Sequence, residues 1–449
     1  MPRTKWSVLL ITVLAAFVLL FAGCGDDAED AASEPVNEEY VNNAWTDGED
    51  LSGTTVNIFG AFVDVDAERF EETMVPFEEA TGIDIVYEGS GDFETLVRVR
   101  SEGGDPPDIA AFPQPGLMAD LTRQGYIQDM GEWFSMDYLQ EQYSDAWIDL
   151  SYVDDVIAGV WYRANLKSLV WYAKPVFEDE GYEIPQTWDE LLALSDQMVE
   201  DGYTPWSISM ESSGATGWVA TDWVEDVLLR TEPPEVYDAW VAGELPFNSP
   251  EIKRALDIIG EIWFNEDYVL GGTDAILTVP FGDGPTPLLQ DPPFALMHRQ
   301  ASFITGFFPE GGDEVEQGLI DYFYLPSIDE EEGKPVLGAG DIYSAFTDRP
   351  EVRAAMRYLS QGISTKAWVE AGGFVSPHND ASLDWYPSPV ERGYAEIIRE
   401  ADTFRFDASD LMPGAVGAGT FWTGMVDWVN NQGENVDQIL DNIDESYPE

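Results

Sequence analysis

The stretch Asp155-Val-Ile-Ala-Gly-Val-Trp-Tyr-Arg-Ala-Asn-Leu-Lys-Ser-Leu-Val-Trp-Tyr172 decides the fold. It holds two strand-like apolar runs, Val156–Tyr162 and Leu166–Tyr172. Between them stand Arg163, Asn165 and Lys167, polar groups of long reach. We read the stretch as the place where the chain leaves one α/β lobe and enters another. Ligand clefts form where two lobes meet. A cleft containing Trp161, Asn165 and Lys167 suits a ligand with apolar faces and many hydroxyls. A buried strand pair with no ligand contact fits the same residues, so the rest of the chain has to decide.

Upstream, strands and helices alternate. Thr55–Phe59 reads as a strand, and Ala67–Ala80 as a helix with Phe70, Met74 and Phe77 on one face. Thr81-Gly82 closes that helix. Strand Ile83–Tyr87, a helix over 92–102 and strand Asp108–Phe112 follow. This order implies a parallel sheet with right-handed crossovers. Ligands of such sheets sit at the carboxyl ends of the strands. Those ends offer Phe62, Asp64, Phe93, Phe112 and Gln114. Singly each reads as an ordinary loop residue; their shared position marks them as a group.

Downstream, Thr187 and Glu190 form a capping box for a helix whose stripe is Trp188, Leu191, Leu192 and Met198. Trp206, Trp218 and Trp223 are dense around a Ser/Gly-rich loop. Indole packs on the C–H face of a pyranose. Its hydroxyls need partners, since a buried polar group left unpaired costs about 1–3 kcal/mol. Asp222 and Glu225 are candidate acceptors, while Trp223, with Val224, Val227 and Leu228, reads as core. Phe294–Ser302 is predicted to return to the first lobe, and Leu319–Pro326 to be a first-lobe strand. Val336–Phe346 is predicted as a third crossing, where Gly338 and Gly340 allow close backbone approach and Asp341 could accept a hydroxyl.

The N-terminus reads as an export signal: a basic start, the uncharged apolar run Trp6–Phe21, then small residues. The run is shorter than the ~20 residues that span a bilayer. Leu20-Phe21-Ala22-Gly23-Cys24 resembles a bacterial lipobox, with Phe21 where a small aliphatic is usual. The resemblance implies lipidation of Cys24, the only cysteine, so no disulfide holds the fold. A membrane-anchor helix that is not cleaved is the alternative; both place the protein outside the cell and tethered. The whole chain carries 21 basic and 86 acidic residues, a net charge of −65. That balance argues against nucleic acid and against anionic lipid headgroups as partners. Residues 25–52 are acidic and without sustained periodicity, and read as a flexible tether.

Several motifs together resemble a known family. Gly104-Asp-Pro-Pro-Asp-Ile109, Pro115-Gly-Leu-Met-Ala-Asp-Leu121, Lys174 through Leu191, and Trp368 through Pro377 look like the extracellular solute-binding proteins of bacterial ABC importers. Phe406 through Trp428 is similar to the α-glucoside-binding branch, which places an aromatic at the Thr-Phe-Trp position against the sugar; Trp422 is that residue. The resemblance implies a two-lobed α/β periplasmic-binding-protein-like fold of type II. Each lobe would be a mainly parallel sheet flanked by helices, with three hinge crossings. It implies a signal peptide over 1–23 and a tether over 24–52. The first lobe would be 53–161 and 302–339, the second 162–301 and 340–449. It also implies a lipid-anchored, monomeric receptor that passes an α-glucoside or oligosaccharide to ABC permease subunits, without a cofactor.

The rival reading is an exported glycoside hydrolase, which needs two carboxylates flanking one bond, ~5–9 Å apart. Nothing in the sequence marks such a pair. His298 and His378, the only histidines, have no metal-ligand spacing, and there is no G-x-S-x-G elbow or P-loop. A binder of a non-sugar solute would share the fold and differ only in its cleft.

Overall fold

The computed structural model describes residues 45–310, 312–329, 332–400 and 403–448. The expected signal at 1–23, Cys24 and the tether as far as residue 44 lie outside them. The last residues of that expected tether are fixed on the first lobe. Trp45 is buried, its ring 4.9 Å from that of Tyr358, and its Nε1 donates to Gln361 at 3.0 Å. One indole supplies the apolar anchor that the acidic composition of the stretch concealed.

The first lobe begins with β1 (Thr55–Gly60), α1 (Asp64–Thr81), β2 (Asp84–Gly89), α2 (Phe93–Gly103), β3 (Ile109–Phe112) and α3 (Pro115–Arg123). β1 pairs in parallel with β2 and with β3, as the alternation predicts. Gly82 ends α1 at φ 70°, a left-handed cap that a Cβ would strain. Next come β4 (Val160–Leu166) and β5 (Leu169–Tyr172), the two runs of the deciding stretch. The second lobe adds α4 (Trp188–Asp201), α5 (Trp218–Leu228), α6 (Pro250–Trp263), β6 (Met297–Arg299) and β7 (Asp321–Tyr324). β8 (Val336–Ala345), α7 (Pro350–Leu359), α8 (Lys366–Ala371), β9 (Phe404–Phe406), α9 (Ala408–Leu411) and α10 (Trp422–Asn430) complete the frame.

The larger sheet has the order β9-β8-β3-β1-β2, with β4 also on β8. β8 is the strand that joins the lobes. Val336–Gly338 pair with β9, Ile342–Ala345 pair antiparallel with β3, and β4 lies along the middle. The smaller sheet, β6-β5-β7, runs antiparallel, where a mainly parallel sheet was expected.

Three expectations about the second half change. Strand β6, within Phe294–Ser302, does not lead back to the first lobe; it pairs with β5. Strand β7, placed in the first lobe by its sequence, pairs with the other side of β5. Helices α7 and α8, assigned to the second lobe, pack on the first: Tyr358 stacks on Phe77 at 5.2 Å, and Trp368 meets Phe62 at 5.3 Å. The remaining crossing therefore lies later than expected. Val375 still pairs with Ala164, and Tyr394 already packs against Tyr322 of β7. Short apolar strands carry no mark of which sheet they join, and that is where the reading of the lobes slipped.

Candidate ligand cleft

The cleft is built on β4. Asn165 and Lys167 follow Arg163 at alternate positions, so the strand's pleat puts all three on one side. Trp161 would share that side in a regular strand, but the β4–β8 ladder is broken. Arg163 pairs with Asp341 while Trp161 already pairs with Ile342, leaving Tyr162 as an extra residue. Such a bulge reverses the facing of what precedes it. Trp161 is accordingly core, packed on Trp147 at 4.8 Å and Phe406 at 5.3 Å.

A cavity of about 170 Å³ opens beside these groups, lined by both lobes. The first lobe supplies Phe62, Asp66, Glu94 and Gln114. The second supplies Trp218, Phe281, Phe303, Phe307, Asp407, Asp410 and Trp422, and Asp341 comes from β8. Of the residues singled out in the sequence, Phe62, Gln114, Asn165, Lys167, Trp218, Asp341 and Trp422 line the cavity. Asp64 does not; it is exposed at φ 50°, and Asp66 takes its place. Phe93 and Phe112 pack edge to face at 5.4 Å in the first-lobe core. Asp222 lies behind the wall as the partner of Lys167. Phe281, in the Gly/Pro/Asp-rich loop Gly271–Pro293 whose sequence suggests a cleft rim, does line the cavity, whereas Arg163, Asp66, Glu94, Asp407, Asp410, Phe303 and Phe307 were missed as cavity residues. Arg163 stood among the polar groups of the deciding stretch, whereas the others are single residues that only the fold gathers.

One glycine lets the two tryptophans line the same cavity. Gly217, at φ 131°, precedes α5, and a Cβ there would run into the backbone of Trp422. A π-helical segment, Val416–Phe421, feeds into α10 and sets Trp422 at its start. π-Helical turns are frequent at functional sites. Trp218 is half-buried, 5.4 Å from Phe281 and 6.0 Å from Phe303; Trp422 is buried.

Two cations organise the polar walls. Arg163 donates Nε to Asp341 at 2.7 Å and Nη1 to Asp66 at 2.8 Å, with its guanidinium 4.4 Å from the Phe62 ring centre. Burial opposes the charge on Arg163, but the two aspartates outweigh it and raise its pKa. Its Nη2 has no hydrogen bond among the described residues and remains a donor beside the cavity. Lys167 Nζ donates to Asp222 at 2.7 Å and to Asp407, and it lies 5.6 Å from the Trp218 ring. Burial pulls Lys167 down, yet Asp222 and Asp407 hold it protonated, well above its usual range. Asp222, Glu225 and Asp407 have carboxylate oxygens within 4.8 Å of one another, the spacing of a cation site. The Lys167 ammonium already bonds two of the three, so the positive charge there is the protein's own.

Other polar atoms in the cleft lack partners. Gln114 Oε1, Asn165 Oδ1 and Trp422 Nε1 are buried and unpaired among the described residues. The carboxyl of Asp410 has no hydrogen bond among the described residues, and burial together with Asp407 pushes its pKa well up. Burial likewise lifts Glu94 to about 7, against a pull from the Gln114 amide. Buried polar groups are normally satisfied. A set of orphan acceptors and donors between aromatic faces is complementary to hydroxyl groups on a ring.

Known proteins resemble this chain in sequence and in fold. The family described as bacterial extracellular solute-binding protein matches residues 55–272. The osmoprotective compounds-binding protein GgtB of Synechocystis sp. is 47% identical over 88% of this chain and 92% of its own. The alpha-glucosides-binding periplasmic protein AglE of Rhizobium meliloti is 41% identical over 94% and 95%. In fold, a solved chitin oligosaccharide binding protein superposes with a TM-score of 0.75 at 15% identity, covering 88% of this chain and 98% of that one. The chain belongs to the bacterial extracellular solute-binding protein family. It is an exported binding component of an ABC-type importer and not an enzyme. No helix among the described residues is long and apolar enough to cross a membrane.

Proposed function

We propose that the protein is a lipid-anchored receptor that captures a small α-glucoside or related polyhydroxylated solute and delivers it to its permease. The observation carrying this is a single cavity lined by Phe62 of one lobe and by Trp218 and Trp422 of the other, with the unpaired Gln114 and Asn165 oxygens between them. The ring faces of a sugar pack on the aromatics, and its hydroxyls donate to the orphan oxygens and accept from Arg163 Nη2 and Trp422 Nε1. The names of the two relatives, one for osmoprotective compounds and one for alpha-glucosides, support ligands of this class. A ligand that bridges both lobes favours their closed arrangement, with β4 and β8 as the hinge. Cys24 is the anchoring residue, and the protein acts as a monomer.

Calorimetric titration of the mature chain with trehalose, sucrose, maltose, longer maltodextrins and small glucosylated polyols tests the reading. Binding of at least one of them at micromolar or tighter affinity, with no hydrolysis product, is expected. Failure of the whole panel would overturn the assignment.

A further inference from the structure

The cavity carries more negative charge than its own cations balance. Its lining holds five carboxyl side chains, those of Asp66, Glu94, Asp341, Asp407 and Asp410, and only two basic ones, Arg163 and Lys167. Asp66 and Asp341 are taken by Arg163, and Asp407 by Lys167, which also serves Asp222. Glu94 and Asp410 remain without an ion pair among the described residues; the Gln114 amide reaches toward Glu94, while the carboxyl of Asp410 has no hydrogen bond there. Two further acceptors, Gln114 Oε1 and Asn165 Oδ1, are unpartnered on side chains only 4% and 6% exposed. The remaining walls are aromatic, and the faces of Trp and Phe rings attract cations. An anion finds no unpaired base here. A protonated amine brings one positive charge and up to three donors, matching what the cavity lacks.

Resting on the proposed function, we infer that the cavity also accepts glycosides bearing a protonated amine, such as an aminodeoxy-glucoside, with Glu94 and Asp410 as the carboxylates that favour them. A neutral glucoside leaves these two carboxyls to hold protons. An ammonium ligand lets them ionise, since an opposite charge nearby favours the charged form. The groups that face Asp410 are Asp407, Lys167, Asp222 and Asp341; Glu94 faces Asp92 and the Gln114 amide. Lys167 is already held by two aspartates, which mutes its repulsion of a second cation. Amine binding then releases protons, and its affinity rises as pH climbs toward the value of about 7 at which Glu94 sheds its own.

The test is calorimetry of the mature protein with three matched probes: methyl α-D-glucopyranoside, its 2-amino-2-deoxy analogue and the N-acetylated form of that analogue. The amine is expected to bind about tenfold or more tightly than the N-acetyl form near neutral pH, with that preference shrinking at about pH 5.5. Glu94→Gln and Asp410→Asn are expected to reduce the ratio of amine to neutral affinity; the ratio is read only from variants that melt cooperatively. An amine that binds no better than the N-acetyl form overturns the inference while leaving the receptor for neutral glucosides intact. A preference that survives both substitutions also overturns it. If none of the three probes binds and the larger sugar panel fails as well, the proposed function itself falls.

Discussion

The Oδ2 atom of Asp120, on first-lobe helix α3, accepts the backbone N–H of Gly414 in the second lobe at 3.0 Å. Arg98 lies 3.4 Å from the same oxygen. One helical turn earlier, Gly116 presses on the carbonyl oxygens of Leu411 and Met412 so closely that any Cβ would clash with them. The lobes thus touch beside the cavity through backbone, at positions where a side chain is excluded or where a carboxylate takes an N–H.

This contact belongs to the arrangement in which the lobes meet, so its loss should weaken ligand capture. Asp120→Ala removes one hydrogen bond to a charged group, on the order of 1.5–3 kcal/mol at most, reduced here because Asp120 is partly exposed. A loss of affinity of about three- to tenfold is expected, mostly as faster ligand release measured by stopped-flow fluorescence. Unchanged release would show that the contact persists in the open form.

Trp218 offers the cleanest test of stacking. It is half-buried, and its ring faces Phe281 and Phe303 across the cavity wall. Trp218→Ala is expected to reduce affinity for a bound glucoside by about tenfold or more, with little change in melting temperature of the empty protein. Ligand-induced change in tryptophan fluorescence should fall with it. Full retention of affinity would place the sugar elsewhere. Trp422 is a poorer choice for the experiment because it is buried, and its truncation costs about 3–5 kcal/mol of stability as well.

How much of this was legible beforehand depends on the distance over which each feature is encoded. The alternation of Thr55 through Phe112 is local, and the parallel first-lobe strands followed from it. The capping box of Thr187 and Glu190 is likewise local, and both of its hydrogen bonds are present. Arg163, Asn165 and Lys167 sit on one strand, so their approach to a common cleft could be read from spacing. Trp161 could not, because the bulge that turns it away arises from pairing with Ile342, far off in the chain. Asp407 and Asp410 lie more than two hundred residues from Lys167, and no spacing rule connects them. Strand β7 was misplaced for the same reason: its partner β5 is chosen by tertiary packing.

Lys167 carries a burden that stability measurements can expose. It is the cation for Asp407 and shares Asp222 with Arg299, both aspartates being almost wholly buried, and Asp407 in turn accepts from Ser409 Oγ and the Asp410 N–H, each at 2.8 Å. Lys167→Met keeps most of the volume and removes the charge. Leaving the buried Asp407 carboxylate without its partner costs about 3–5 kcal/mol. A fall in melting temperature of several degrees is expected, and adding Asp407→Asn should restore part of it. A variant as stable as the parent would mean that the carboxylates carry protons instead.

Acid should destabilise the protein through a histidine that the cleft does not use. His298 is buried on β6, where its Nδ1 bonds the Ser207 carbonyl at 2.8 Å and its Nε2 has no partner among the described residues. Burial drives its pKa down to about 4 from the model-compound value of 6.5. The unfolded chain therefore takes up a proton near pH 6.5 that the folded chain refuses until about pH 4. The stabilising contribution is complete above the higher value and is lost as pH falls through this window, by roughly 3 kcal/mol at its lower end. Glu391, pushed up to about 7 by burial, acts with the opposite sign: its contribution is present in acid and is lost as pH rises from 4.5 toward 7. The two effects overlap, so the wild-type profile alone would not separate them. His298→Asn keeps a donor for the Ser207 carbonyl and removes the titration. Denaturant midpoints measured between about pH 4 and pH 7 should fall less steeply on acidification in this variant than in the parent. Parallel profiles would exclude His298 as the source of the acid sensitivity and leave it to the carboxylates.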